Sequence, residues 1–163
     1  MSVEATAAAW LAPFVLPVCF HVVFTDLARM KITNQAVGLL VVIFALGGAL
    51  LYPMPDYLWR WLHLVVVLAA GVALNLGGAM GAGDAKFLAA AAPYVAVQDV
   101  TLVCYILAAA TLAGFTVHRF VRRSPLRRVV PHWLSWTDTR RFPLGFPLGC
   151  ALAAYLLLTA AGI

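Results

Sequence analysis

Six apolar stretches separated by short polar turns organise this chain, at 7–24, 36–52, 58–76, 85–97, 100–118 and 144–162. Five of them approach the roughly 17–25 residues that a helix needs to cross a bilayer. The connectors carry turn residues: Lys31 to Asn34, Pro53-Met54-Pro55-Asp56, the glycine-rich 77–83, Gln98-Asp99, and a longer basic segment over 119–142. The pattern predicts an all-α polytopic membrane protein, a bundle of about six transmembrane helices. The fourth stretch, 85–97, is thirteen residues long, roughly 20 Å of helix against a hydrocarbon core of about 30 Å. Either that helix runs on through Gln98-Asp99, or the polar turn before it dips below the membrane surface. Pro13 and Pro17 fall inside the first stretch, where a membrane helix absorbs a kink.

Composition agrees with the pattern. With 64% apolar and 10% charged residues over 163 positions, there is far more apolar surface than a soluble domain of this size can bury, so most of it must face lipid. The length suits a single transmembrane domain over 1–163. Glu4, with no Lys or Arg before the first apolar stretch, argues against a cleavable signal peptide, whose start is basic. Cys19, Cys104 and Cys150 lie inside apolar runs without metal-binding or redox spacing, so neither a zinc site nor a disulfide framework is expected. There is no internal repeat, and nothing in the pattern specifies an oligomeric state.

Charge orients the bundle. With the N-terminus outside, ten of the eleven Lys and Arg fall on inner connectors: Arg29, Lys31, Lys86 and seven arginines of the basic segment. Arg60 alone lies outside, and the positive-inside rule selects this arrangement. Trp59, Trp61 and Tyr52 flank the outer loop, where rings anchor a helix at the interface. Asp26 and Asp84 then share the inner face.

Those two aspartates are the candidate chemistry. Each sits where an apolar run meets a polar turn, Asp84 inside Gly81-Ala82-Gly83-Asp84-Ala85-Lys86. That segment is neither a P-loop, which needs GKS or GKT after its glycines, nor a dinucleotide fingerprint, which needs a third glycine. Close helix packing through the small-residue pair Gly77 and Gly81 would explain glycine but not Asp84. A carboxylate at the lipid boundary is a functional candidate by default, with an ion pair to Lys86 or Arg29 as its structural competitor. Two neighbouring carboxyls cannot both ionise cheaply, so they share a proton. One can then take a proton from water while the other polarises a scissile carbonyl, without metal, cofactor or covalent nucleophile. A transporter or assembly subunit using the same pair as a proton relay is the competing class, and it predicts no cleavage.

At these residues the chain resembles the type IV prepilin peptidase family. Asp26 followed by Ile32-Thr33-Asn34 is similar to that family's D-x5-I-P-N segment, and Gly81-Ala82-Gly83-Asp84-Ala85-Lys86 to its GxGDxK motif. Arg141-Phe142-Pro143-Leu144-Gly145 is similar to its C-terminal Pro-aromatic-Gly segment. Thr33 stands where the family usually has proline and Leu144 where it has an aromatic residue. Longer members carry an N-terminal segment with paired CxxC motifs, so the likeness is to short, peptidase-only members of tight-adherence pilus systems. The resemblance implies an aspartic endopeptidase with catalytic Asp26 and Asp84, supported by Gly81, Gly83 and Lys86. It implies a multi-pass protein of the bacterial inner membrane, with its site toward the cytoplasm. Prepilins or pilin-like pseudopilins would be cut after a glycine that precedes their apolar helix.

The remaining polar residues have plainer expectations. Lys86 either tunes the Asp84 carboxyl or anchors its helix at lipid phosphates. His21 lies roughly 140° around the helix from Asp26, which suggests a hydrogen-bonded residue inside the bundle. Asn75 is expected to bond between helices. His63, His118 and His132 show no ligand spacing. The basic segment reads as a loop resting on anionic membrane lipids, each cation worth on the order of 1 kcal/mol, rather than as a nucleic-acid site.

Overall fold

A computed structural model describes residues 3–138 and 142–163, so Arg140 and Arg141 of the basic segment lie outside the described residues. The protein is an all-α, polytopic membrane protein with helices α1 (Val3–Arg29), α2 (Asn34–Leu51), α3 (Met54–Leu76), α4 (Ala82–Ala91), α5 (Val100–Arg123) and α6 (Gly145–Ala160). Four helical stretches are long and apolar enough to cross a membrane: α1, α2, α3 and Val97–Arg123. The other two are short, with sixteen residues in α6 and ten in α4. Pro13 and Pro17 are both absorbed within α1, which keeps 27 helical residues.

The polar turns do the work of starting helices. Thr33 caps α2, its hydroxyl accepting from the Ala36 N–H at 3.3 Å, so the threonine at the usual proline position still begins the helix there. Pro53 and the proline within the first turn begin α3. Gly81 caps α4, with Asp84 in its first turn.

The fourth stretch departs from expectation. Its helix ends at Ala91, and Ala92–Tyr94 and Val97–Asp99 form short 3-10 turns before α5. Pro93 is the reason: it has no N–H to donate and its ring clashes with the preceding turn. The helix therefore does not run through Gln98-Asp99.

The core lies between α1 and α6, with α2 against α1 and α4 beside α2 and α6, while α3 packs on α4 and α5 on α6. Val15, Val22, Leu40, Phe44, Phe87 and Tyr155 are almost fully enclosed there. The α1–α6 contact is made possible by Gly145 and Gly149. A Cβ on Gly149 would lie 3.0 Å from the Cys19 carbonyl oxygen and 2.9 Å from Val23 Cγ2. This is the small-xxx-small pair of the fold. Gly77 does not play that part, since a Cβ there meets only its own helix at ordinary distance.

At the end of the bundle opposite Asp26, Arg60 is not a surface cation but a buried clamp. Its guanidinium pairs with Glu4, donates to the Pro93 carbonyl at 2.8 Å and lies 4.1 Å over the Tyr52 ring. It thereby ties α1, α3 and the broken end of α4 together. Tyr155 donates to Asp99 at 2.9 Å and accepts from the Ala96 N–H at 3.2 Å, holding the next turn. Tyr52 and Trp61 turn inward around Phe44, and of the three expected interface rings only Trp59 is well exposed. Removing one partner of a buried pair strands the other. Arg60→Ala is therefore expected to lower stability by about 3 kcal/mol, read as a drop in the melting temperature of the detergent-solubilised protein, with Arg60→Lys losing part of it.

Candidate active site

Asp26 sits in the last turns of α1 and is buried, with 5% of its surface exposed. It faces the start of α6. The Phe146 N–H donates to Asp26 Oδ2 at 3.2 Å, and the Gly145 N–H also serves this carboxyl. Those are free N–H groups of a helix N-terminus, whose dipole end favours negative charge. Gly145 is required by distance: a Cβ there would lie 2.9 Å from Asp26 Cγ, Asp26 Oδ2 and Ile32 Cδ1.

Asp84 is half-buried in the first turn of α4, where its carboxyl accepts from the N–H of the capping residue Gly81. This is one half of a capping box, and it fixes the carboxyl in place. A Cβ on Gly81 would come within 2.7 Å of Asp84 Oδ2. Asp84 lies outside the four long helices, and partial burial raises its carboxyl above the ordinary carboxylate value, the Gly81 N–H opposing that rise.

The two carboxyls, 58 positions apart in sequence, come together. Both line one open cavity of about 740 Å³ bordered by the turns at 30–34, 78–84 and 142–144. Gly83 packs against Ile32, a Cβ there meeting Ile32 Cβ at 3.4 Å, so the two motifs also touch. Met30, on the rim, has φ 54° and follows α1 with its N–H on the Asp26 carbonyl at 2.8 Å. A non-glycine residue in that region is uncommon, and it reverses the chain just past Asp26.

A family model described as the Type IV leader peptidase family matches residues 13–117, well over half the chain and both aspartates. The chain belongs to that family. It is a leader-peptidase-like protease of the membrane. Comparison with curated proteins gives no match, and comparison with solved structures gives none either. The matched segment ends before α6, so the cradle that Gly145 and Phe146 make for Asp26 in this leader peptidase is a contribution of the structure.

Other expectations are redrawn. Lys86 is exposed beside the aspartate cavity, and its ammonium donates to Asn34 Oδ1 at 3.2 Å, joining the starts of α4 and α2. His21 is exposed on the outside of α1 rather than bonded within the bundle. Asn75 donates to the Met80 carbonyl at 2.8 Å, bracing the turn between α3 and α4 rather than crossing to another helix. The basic segment folds back in part: Trp136 stacks on His118 with ring centres 4.8 Å apart, and Trp133 meets Phe24 of α1 edge-on at 5.8 Å. Gly145 was missed as a site residue, although Gly145-x3-Gly149 is a legible packing pair.

Proposed function

We propose that this leader peptidase is an aspartic endopeptidase in which Asp26 and Asp84 act as one proton-sharing pair. The observation that carries it is the convergence of the two carboxyls, from α1 and α4, on one cavity with backbone donors behind each. One carboxylate takes a proton from the attacking water. The other, protonated, donates to the scissile carbonyl oxygen as the tetrahedral intermediate forms, and the proton gained by the first then goes to the leaving amide nitrogen. Gly81 leaves room for the Asp84 carboxyl itself and Gly83 for Ile32, which lets the two motifs close up around the pair.

The substrate is a prepilin or pilin-like precursor cut after a glycine at the start of its apolar helix, at the cytoplasmic face of the bacterial inner membrane. The distribution of basic residues supports that orientation. Co-expression with a pilin precursor tests the reading, the product running faster on a gel by the mass of the leader. A precursor of unchanged mobility would sink it. In a background with Cys104 replaced, a cysteine at Gln98 is expected to react with an impermeant maleimide added outside cells, and one at Ser124 to react only after lysis. Outside labelling at Ser124 would put the site on the wrong face.

A proton-sharing pair gives a bell-shaped pH profile whose two apparent pKa values belong to the pair. Lys86 lines the same cavity as both aspartates, and its bond to the neutral Asn34 amide leaves its charge in place, so Lys86→Met is expected to move the alkaline limb to higher pH. An unchanged alkaline limb would leave Lys86 only the part of joining α4 to α2.

A further inference from the structure

The two tryptophans of the basic segment belong to one run of rings. Phe24 of α1 meets Trp133 edge-on at 5.8 Å, Trp133 stacks on Trp136 at 5.7 Å, Trp136 stacks on His118 of α5 at 4.8 Å, and His118 meets Phe142 edge-on at 5.9 Å. Phe142 also meets Phe115 of α5 edge-on at 5.7 Å, and it lines the aspartate cavity. The rings of Phe142 and Phe146 both lie over Gly114, where a Cβ would come 3.0 Å from Phe146 Cε1 and 3.7 Å from Phe142 Cζ. The inner end of α5 is thus the backing against which the start of α6 rests.

The two ends of this run bracket Asp26. Phe24 lies two positions before it and about 200° round the helix, so α1 is gripped on its outer side by Trp133 and on its inner side by the donors of α6. Phe142 lies four positions before Phe146, whose N–H donates to Asp26 Oδ2 at 3.2 Å. Stacked and edge-on ring pairs attract beyond the area they bury, and here they join α1, the 3-10 turn Leu134–Trp136, α5 and the start of α6 into one closed circuit around the carboxyl. We propose that Trp136 and His118 are positioning residues for Asp26, their stack making the basic segment a clasp that fixes the N–H groups of Gly145 and Phe146 on its carboxyl. The proposal rests on the peptidase reading above. Neither ring lines the aspartate cavity, so both act through α6 rather than on substrate. A slack clasp costs rate more than affinity, because the donors bear on a carboxyl whose charge changes during the reaction. His118 is enclosed with 8% of its surface exposed, and its Nε2 has no hydrogen-bond partner among the described residues. That nitrogen can therefore be dispensed with while the ring cannot.

The experiment removes a ring and keeps apolar bulk. Trp136→Leu and His118→Leu are each expected to lower kcat of the folded protein on a pilin precursor about tenfold with KM unchanged. Trp136→Phe and His118→Phe, which keep a ring in the stack, are expected to restore most of that rate. Trp10→Leu, which removes an exposed ring toward the other end of α1, should change nothing. A second readout does not depend on cleavage: in detergent-solubilised protein labelled with 15N-phenylalanine, the Phe146 amide is identified by its loss in Phe146→Leu. Its proton signal is expected to move upfield in Trp136→Leu, as the hydrogen bond to the carboxyl weakens, and to hold its place in Trp136→Phe. An unmoved signal in Trp136→Leu would overturn the clasp, and so would a raised KM at unchanged kcat. A lower melting temperature with normal kcat in the folded fraction would reduce the rings to packing and overturn it equally. If the signal moves as expected but the wild-type protein cuts no precursor, the peptidase reading falls and the clasp stands.

Discussion

Replacing Asp26 or Asp84 by asparagine is expected to abolish precursor cleavage, with a loss of at least about a thousandfold in kcat for each, while the protein still inserts and folds. Asparagine keeps the shape of the carboxyl and can still accept from the N–H groups of Phe146 and Gly145 at one position or of Gly81 at the other. What it cannot do is take up and return a proton near neutral pH. The remaining carboxylate cannot then be base and acid in one cycle, so the double variant should lose no more than either single one. Additive losses would mean that the two residues act independently. Cleavage within a factor of ten of wild type in either single variant would remove the pair from the chemistry, and the proton-relay alternative would then regain its footing.

The aspartates were legible in the sequence because each is set in a local polar turn against long apolar runs, and local contrast survives without knowledge of the fold. The number and type of helices were legible for the same reason. What surrounds Asp26 was not. The donors behind it come from the start of α6, 120 positions away, and no periodicity joins Phe146 to the end of α1. The burial of Arg60 was hidden by the same limit: counted by topology it is an outer charge, and it is its contacts with Glu4, Tyr52 and Pro93 that enclose it at that end. The shortness of α4 was readable, since Pro93 lies within the predicted stretch, but hydropathy averaged across the proline and hid the break. Gly77 and Gly81 had the packing spacing and not the packing role. In the fold, Gly81 yields space to Asp84 and Gly145 yields space to Asp26.

That last contact carries the second large effect. Gly145→Val is expected to cut activity by about a hundredfold, because a Cβ at 2.9 Å from Asp26 Cγ and Oδ2 and from Ile32 Cδ1 must push the carboxyl off the Phe146 N–H. A displacement of about 1 Å at a reacting group is enough for a loss of that size. Gly149→Ala is the matched control, one helical turn further along the same face of α6. Its new methyl group meets the backbone oxygen of Cys19 at 3.0 Å, which cannot move without the whole of α1. That variant is expected to lose about 1–3 kcal/mol of stability and to keep most of its kcat in the fraction that remains folded. Thermal melts and single-turnover cleavage by the two purified variants separate the effects. If Gly145→Val melted far below wild type while its folded fraction cleaved at the normal rate, the start of α6 would be only a packing surface. The Asp26 carboxyl would then owe nothing of its placement to the helix it faces.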